Sequence, residues 1–188
     1  AANVADAAQL ALLLNLLDRF PKPTLALVNG GAFGGAVGLI ACCDSVISAD
    51  NASFCLSEVR IGLIPAVISP FVVNKIGMSW SRHLMTSAMA FSAGQALTYG
   101  LVHQVVALSE LHRAKDHWIK VTLGNSPKAV AKIKQLLHQY NTHSPLAKEN
   151  LAETTVLTTR AIAKSRVSPS GQEGLKAFLT KTQALWKE

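Results

Sequence analysis

Residues 25–35 read LALVNGGAFGG, and they indicate the fold class of this 188-residue chain more directly than any other segment. The apolar run from Leu25 to Val28 predicts a short buried strand. Asn29-Gly30 is a strong turn dipeptide, so residues 29–33 are predicted to form a turn. From Gly34 to Cys43 the residues are small or apolar, which predicts a tightly packed helix.

The segments on either side extend this pattern. Residues 44–49 predict a second strand and residues 53–55 a third, so that strand, glycine turn, helix and strand form an α/β unit. Upstream, leucines at helical spacing predict a helix over residues 5–20, which Pro21 ends. Downstream, the sequence predicts helices over 69–76 and 79–87, a short helix that starts at 92–95, and a strand over 101–106.

After residue 109 the predicted strands disappear. Helical periodicity covers residues 111–123, 127–139, 146–163 and 170–180, and Ser126-Pro127 is a typical helix start. We therefore predict an α/β core over residues 1–107 and an all-helical region over residues 108–188. A helical region of this kind is expected to pack against neighbouring copies as well as against its own core.

Composition excludes several classes of function. Hydrophobic residues make up 49% and charged residues 15%, which is typical of a globular protein. The net charge is +7, but the cations are scattered and no nucleic-acid-reading motif is present, so a nucleic-acid partner is not expected. Cys42, Cys43 and Cys55 form no metal-binding pattern, which favours a reduced, cytoplasmic environment and no metal.

Residues 24–43 carry no charge, which raises the alternative of a membrane helix. Five of these twenty residues are glycine, and the turn at Asn29-Gly30 divides the run into two halves. We therefore expect a soluble strand, turn and helix in this segment.

Two features could carry chemistry. Gly34 and Gly35 stand where a strand leads into a helix, and free backbone N–H groups at such a start can stabilise an anion; the alternative is that the glycines only allow close packing. Glu58 is the only carboxylate between Asp50 and Glu110 and has apolar neighbours. An isolated glutamate of this kind is either functional or paired, here with Arg60 or another cation. The six histidines are dispersed and predict no site.

The order and spacing of these motifs resemble the enoyl-CoA hydratase/isomerase (crotonase) superfamily. The resemblance covers nearly the whole chain and is carried by residues 23–35, Ala41–Asp44, 52–54, Ser57–Val59, Ile61–Pro65, 91–96, 100–102 and 171–181. It implies a spiral of ββα turns, helices that form a homotrimer or a dimer of trimers, and acyl-CoA thioester substrates without a further cofactor.

The resemblance also implies roles for individual residues. Glu58 would be the acid and base, Gly35 N–H one donor of the oxyanion hole, and Ala66 N–H a donor to the catalytic water. Other implied contacts are to the substrate, from Phe33, Gly34, Arg60 and Pro65, and to the CoA nucleotide, from Phe178 and Lys181.

Two departures from the family pattern affect the expected mechanism. Family members carry further residues upstream that hold the second oxyanion donor, and Gly38 stands where many hydratases have a second glutamate. A single carboxylate can still hydrate a double bond, and it is also what many enoyl-CoA isomerases show.

Residues 54–70 look most like the bacterial methylglutaconyl-CoA hydratases of leucine breakdown. Hydration of a branched, carboxylated enoyl-CoA is therefore the leading hypothesis, with Arg60, Lys75 or Arg82 as the cation for the second carboxylate. The alternatives are a Δ3-Δ2-enoyl-CoA isomerase and a non-catalytic scaffold of the same fold.

Overall fold

A computed structural model describes residues 2–140 and 151–187. The helices are α1 (Ala2–Asp18), α2 (Gly35–Ala41), α3 (Ser69–Ser87), α4 (Ala93–Tyr99), α5 (Leu111–Leu123), α6 (Pro127–Tyr140), α7 (Leu151–Arg166) and α8 (Pro169–Thr180). The strands are β1 (Leu25–Val28), β2 (Gly31–Phe33), β3 (Ser45–Ala49), β4 (Ser53–Cys55), β5 (Phe91–Ser92) and β6 (Gln104–Val106). Short 3-10 turns cover Glu58–Ile61, Leu108–Glu110 and Leu185–Lys187.

The strands form two three-stranded sheets, and the chain moves from one sheet to the other as it advances. One sheet has the order β1-β3-β6 and is parallel throughout; the other has the order β2-β4-β5, with β5 antiparallel. Leu25 lies opposite Ser45 in the first sheet, and Gly31 lies opposite Ser53 in the second. The first two turns of the chain each add one strand to each sheet and then a helix, which is a ββα spiral; in the third turn, α4 lies between β5 and β6.

The chain divides into two compact units. The first contains residues 1–20 and 24–117, and the second contains residues 21–23 and 118–188. The predicted boundary at 107/108 remains a prediction; in the structure the division falls inside α5. The helix predicted over residues 146–163 corresponds to α7, but residues 146–150 of that prediction lie outside the described residues.

The first unit has a continuous apolar core. Its fully buried side chains come from α1, from the strands and helices of the spiral, and from the segments that connect them; the largest are Leu14, Val37, Val46, Phe54, Leu56, Val72, Leu84, Leu101 and Val102. Phe54 and Phe91 stack with ring centroids 5.5 Å apart. This core fixes β4 and α2 in place, and the candidate site lies where these two elements meet.

The sequence-based predictions need correction at strands β2 and β5, whereas the two separate helices predicted on either side of residue 77 agree with the structure. Gly31–Phe33 is strand β2 and not part of a turn, because it pairs with β4. Phe91–Ser92 is a strand that the sequence analysis did not predict. The two helices predicted over 69–76 and 79–87 form α3, which is interrupted at Gly77 by a non-helical backbone with φ 74°.

None of the helices in the described ranges is both long enough and apolar enough to cross a bilayer.

Candidate active site

Glu58 and Gly34 meet at the start of α2. Glu58 is the first residue of the 3-10 turn after β4, and its carboxylate lies so close to Gly34 that a Cβ there would be 3.1 Å from Oε1. Gly34 has φ +51°, a conformation that also favours glycine. Its N–H donates to the carbonyl of Cys55 at 2.9 Å, which extends the β2–β4 pairing. The structure thus brings together the two features that the sequence analysis identified separately.

The second oxygen of the Glu58 carboxylate has no hydrogen-bond partner in the part of the chain that the structure describes. Within residues 2–140 and 151–187, Oε2 is buried and accepts no hydrogen bond. Arg60 forms no ion pair with it among the described residues; instead, Nη2 of Arg60 donates to the carbonyl of Ala88 at 2.6 Å. A buried, unsatisfied carboxylate oxygen is costly for stability and calls for a functional explanation.

Gly35 is the first residue of α2. The N–H groups of the first helical turn have no acceptor within the helix, so they can donate to an anion. Val37 N–H donates to Gly34 O at 2.9 Å, whereas the Gly35 N–H takes part in no hydrogen bond among the described residues. The space beside its Cα is open, since nothing lies within 4 Å of the Cβ position. Its role in an oxyanion hole remains a prediction.

The loop after Glu58 is held by backbone hydrogen bonds. Gly62, with φ 74°, ends the 3-10 turn, and Leu63 N–H donates to Glu58 O at 3.1 Å. Pro65 O accepts from Ser69 N at 3.0 Å and so joins the loop to α3. Ala66 N–H donates to Ile64 O at 2.8 Å. The predicted bond from Ala66 to a catalytic water therefore requires that this internal bond open or be shared.

Ile68 occupies the space beside Gly38, one helical turn beyond Gly34. A Cβ at position 38 would overlap the Ile68 side chain and lie 2.7 Å from its Cβ. Ile68 is 2% exposed and belongs to the core. There is thus no room for a second glutamate at position 38 while Ile68 stays in place, which gives a physical reason for the single carboxylate.

Two of the cations proposed for a substrate carboxylate each donate a hydrogen bond to a backbone carbonyl. Arg60 donates to Ala88 O, and Lys75 Nζ donates to Cys43 O at 2.8 Å. Cys43 lies just beyond the C-terminal end of α2, whereas Gly35 is the first residue of that helix. Burial lowers the pKa of Lys75, and nearby acidic groups oppose this only in part. Arg82 is exposed on α3, and its side chain makes no hydrogen bond or ion pair with the described residues.

Of the other predicted contact residues, Phe33 lies on β2 and is 53% exposed, with its ring folded over Gly31. Phe178 and Lys181 belong to the second unit. Phe178 is 81% exposed near the end of α8, and Lys181 follows that helix in a left-handed conformation with φ 55°. Both line a cavity of about 550 Å³ together with Trp186.

The described residues contain no cluster of histidine, cysteine or acidic side chains that could hold a metal ion. Burial raises the pKa of the Cys42 thiol to about 12, so this cysteine is not a nucleophile at neutral pH.

Comparison with known proteins agrees with this geometry. A family model described as enoyl-CoA hydratase/isomerase matches residues 4–188. The chain belongs to the enoyl-CoA hydratase/isomerase family. A crystal structure of an enoyl-CoA hydratase from Shewanella pealeana superposes with a TM-score of 0.91 at 45% identity, and the match covers 98% of this chain and 67% of that one. The crotonase-like spiral followed by helices is therefore confirmed.

Curated members of the enoyl-CoA hydratase/isomerase family match over different lengths. Enoyl-CoA hydratase ACTT6 of Alternaria alternata is 42% identical over 98 residues, which are 52% of this chain and 33% of that protein. Carnitinyl-CoA dehydratase of Salmonella typhi is 29% identical over 175 residues, which are 88% of this chain and 63% of that protein. The chain thus spans less than two thirds of these relatives.

Three residues of this family site were missed by the sequence analysis or given another role. Ile68 and Ala88 were not singled out, because their contacts are distant in sequence. Ile68 follows Gly38 by 30 residues, and Ala88 follows Arg60 by 28 residues. Arg60 was singled out as a cation near Glu58, but its hydrogen-bond acceptor could not be predicted from local sequence.

Proposed function

We propose that this protein adds water reversibly to the double bond of a 2-enoyl-CoA thioester, with Glu58 as the only acid and base. The observation that carries the proposal is the Glu58 carboxylate, which lies against Gly34 with Oε2 buried and unpartnered. An oxygen in that state is available to accept a proton from a bound water, provided that the substrate lies within hydrogen-bonding reach.

The proposed reaction uses one proton relay. Glu58 takes a proton from water as the water oxygen bonds to C3, and it then gives this proton to C2 on the same face. Negative charge on the thioester oxygen develops between these two events, and Gly35 N–H would stabilise it together with a second donor. Loss of one such donor typically lowers the rate by about 100- to 1000-fold, because the charge exists only along the reaction.

For the substrate we propose a branched, carboxylated enoyl-CoA, with methylglutaconyl-CoA of leucine degradation as the first candidate. The support is the resemblance of residues 54–70 to that group of hydratases. Arg60 and Lys75 each direct a donor to a backbone carbonyl, whereas Arg82 is exposed and makes no side-chain hydrogen bond among the described residues, so we propose Arg82 as the first of the three cations to test for the second carboxylate.

We further propose that the enzyme acts as a cytoplasmic homotrimer or dimer of trimers and needs no cofactor beyond the CoA of its substrate. Phe178 and Lys181 would contact the CoA nucleotide. Both residues line the cavity beside α8, and the lysine supplies a positive charge for a phosphate.

The proposal is tested by Glu58→Gln in the full-length protein. The amide keeps the size of the side chain but accepts protons poorly, so kcat for methylglutaconyl-CoA should fall by at least about 100-fold. CoA-ester affinity, measured by calorimetry, should change little, since Glu58 does not contact the CoA portion in this proposal. Glu153→Gln, at an exposed position on α7, is the matched control. Full activity of Glu58→Gln would refute the assignment.

A single carboxylate also favours a second candidate, isomerisation of a 3-enoyl-CoA to the conjugated 2-enoyl-CoA. One base can move a proton between two carbons, and Ile68 excludes a second carboxylate at position 38. The two reactions separate when a 3-enoyl-CoA is supplied: an isomerase forms the conjugated ester without taking up water. No turnover of any enoyl-CoA by an intact oligomer would instead support the scaffold alternative.

A further inference from the structure

Arg60 lies two residues after Glu58 in the same 3-10 turn, but its guanidinium reaches the end of a different element. Nη2 donates at 2.6 Å to the carbonyl of Ala88, the residue that ends α3 in a left-handed conformation with φ 49°. Carbonyl groups at a helix C-terminus lack intrahelical partners and carry partial negative charge, so a cation is favoured there. Arg60 therefore caps α3 with a side chain that belongs to the Glu58 turn.

The accepting carbonyl is shared by two donors. Ala88 is 1% exposed, and its oxygen also accepts from the thiol of Cys55, the last residue of β4, at 3.2 Å. A thiol is a weak donor, whereas a guanidinium is a charged donor of fixed geometry. One buried carbonyl thus joins β4, the Glu58 turn and α3, and Arg60 supplies the stronger of its two bonds.

The start of α3 holds the other end of the same loop. Ser69 Oγ donates to Ala66 O at 2.9 Å, and the neighbouring Ile68 packs against Gly38 of α2. The segment from Glu58 to Ser69 is therefore attached to α3 near both of its ends. Without the Arg60 bond, the Glu58 turn would lose its only charged hydrogen bond to the end of α3 among the described residues.

We infer that Arg60 is a positioning residue, which keeps the Glu58 carboxylate against Gly34 and does not bind a carboxylate of the substrate. This inference rests on the proposed function, because it assigns Arg60 a part in the reaction that Glu58 performs. A displacement of about 1 Å at a reacting group can lower the rate by about 100-fold. The loss of the Ala88 bond should therefore appear in kcat more than in KM.

The test compares Arg60→Met and Arg60→Lys on two substrates, methylglutaconyl-CoA and the uncarboxylated 3-methylcrotonyl-CoA. Arg60→Met keeps an apolar stem but removes the donors, so kcat should fall by about 10- to 100-fold on both substrates, with KM nearly unchanged. Arg60→Lys keeps a cation that can reach a carbonyl and should restore most of the activity. Arg113→Met, at an exposed arginine of α5, controls for the loss of an arginine as such.

Two other outcomes of the same kinetic comparison would contradict the inference. A rise in KM for the carboxylated substrate alone would mean that Arg60 binds the substrate carboxylate. Unchanged kinetics of Arg60→Met on both substrates would mean that the Ala88 bond does not position Glu58.

A second measurement does not depend on activity. Hydrogen–deuterium exchange of residues 57–66 should be faster in Arg60→Met than in the wild type, because the turn loses its attachment to α3. It should be unchanged in Arg113→Met and nearly normal in Arg60→Lys. Unchanged exchange in Arg60→Met would overturn the inference. If the wild type turns over no enoyl-CoA, the proposed function fails, and the exchange data alone decide whether Arg60 holds the turn.

Discussion

Gly38 and Ile68 illustrate at the scale of single residues how the site depends on the absence of a side chain. A methyl group at position 38 would overlap Ile68, which is buried in the core of the first unit. We therefore expect Gly38→Ala to lower the free energy of unfolding by about 1–3 kcal/mol, as overpacking of a core commonly does. Urea unfolding at constant pH measures this change.

The control for this substitution is Gly94→Ala in α4, where the nearest atom to the Cβ position is Ser92 Oγ at 3.9 Å. Alanine is a better helix former than glycine, so this variant should gain up to about 1 kcal/mol. In an Ile68→Gly background the penalty of Gly38→Ala should disappear, because Cβ and Cγ2 of Ile68 are both gone and the Cα of residue 68 lies 3.7 Å from the new methyl group. A penalty that persists there would show that Ile68 is not its cause.

Sequence reasoning at this scale identified Gly34 and Gly35 by their place between a strand and a helix, Glu58 as a lone carboxylate, and Gly38 only through the resemblance to the family. It could not predict which residues they touch. Nothing near Glu58 in sequence shows that Arg60 bonds to Ala88, since that contact depends on where α3 ends. The ion pair of Glu58 with Arg60, the simplest local alternative, does not form among the described residues.

At the scale of elements, the parallel sheet β1-β3-β6 contains a pH-sensitive contact. His103 precedes β6, and its Nδ1 accepts a hydrogen bond at 2.9 Å from the N–H of Val46 in β3. Burial lowers the pKa of His103 below its usual value of 6.5, and the charge of Lys75 lowers it further. Protonation would place a second donor against the Val46 N–H.

The lowered pKa of His103 should make the folded protein less stable at acidic pH. Below pH 6.5 the unfolded chain binds a proton at His103 before the folded chain does, so stability falls as the pH falls towards the lower folded pKa. Above that window the contribution is fully present. Thermal unfolding between about pH 7 and pH 5 should show this loss, and His103→Gln should make the curve flatter. His112→Gln, at an exposed histidine, should leave the slope unchanged; equal slopes in all three proteins would contradict the prediction.

The elements that the sequence predicted well are those with a clear local signal. Strands β1 and β4 have their predicted bounds, and α4 begins within the predicted residues 92–95, where the structure shows a capping box of Ser92 and Gln95. Strand β2 was missed because it directly follows the turn dipeptide Asn29-Gly30, and β5 because two residues are too few to show a period. Both exist only through pairing with β4, and β2 is separated from it in sequence by a helix and a strand.

At the scale of the whole molecule, the order of motifs was more informative than any one of them. Neither the glycine turn nor the lone glutamate distinguishes a site from packing, yet their spacing along the chain matched one family, and the structural comparison confirmed that fold. The assembly could not be derived in the same way, because periodicity shows that a helix face is apolar but not what covers it.

The second unit supports the proposed oligomer and gives a test of it. Large apolar side chains are exposed on α6 and α7, including Ile133 at 47% and Ile162 at 58%, and they line a groove of about 900 Å³. An apolar surface of this kind marks an interface in a protein that stays soluble. We therefore expect light scattering to give three or six times the subunit mass for the full-length protein.

Ile133→Glu should weaken the assembly about tenfold or more, because it buries a charge at an apolar contact. Lys128→Glu, on the same helix but away from the groove, should leave the mass unchanged, and circular dichroism should show that both variants remain folded. A monomeric wild type, or an Ile133→Glu variant with undiminished mass at low concentration, would contradict assembly through this groove.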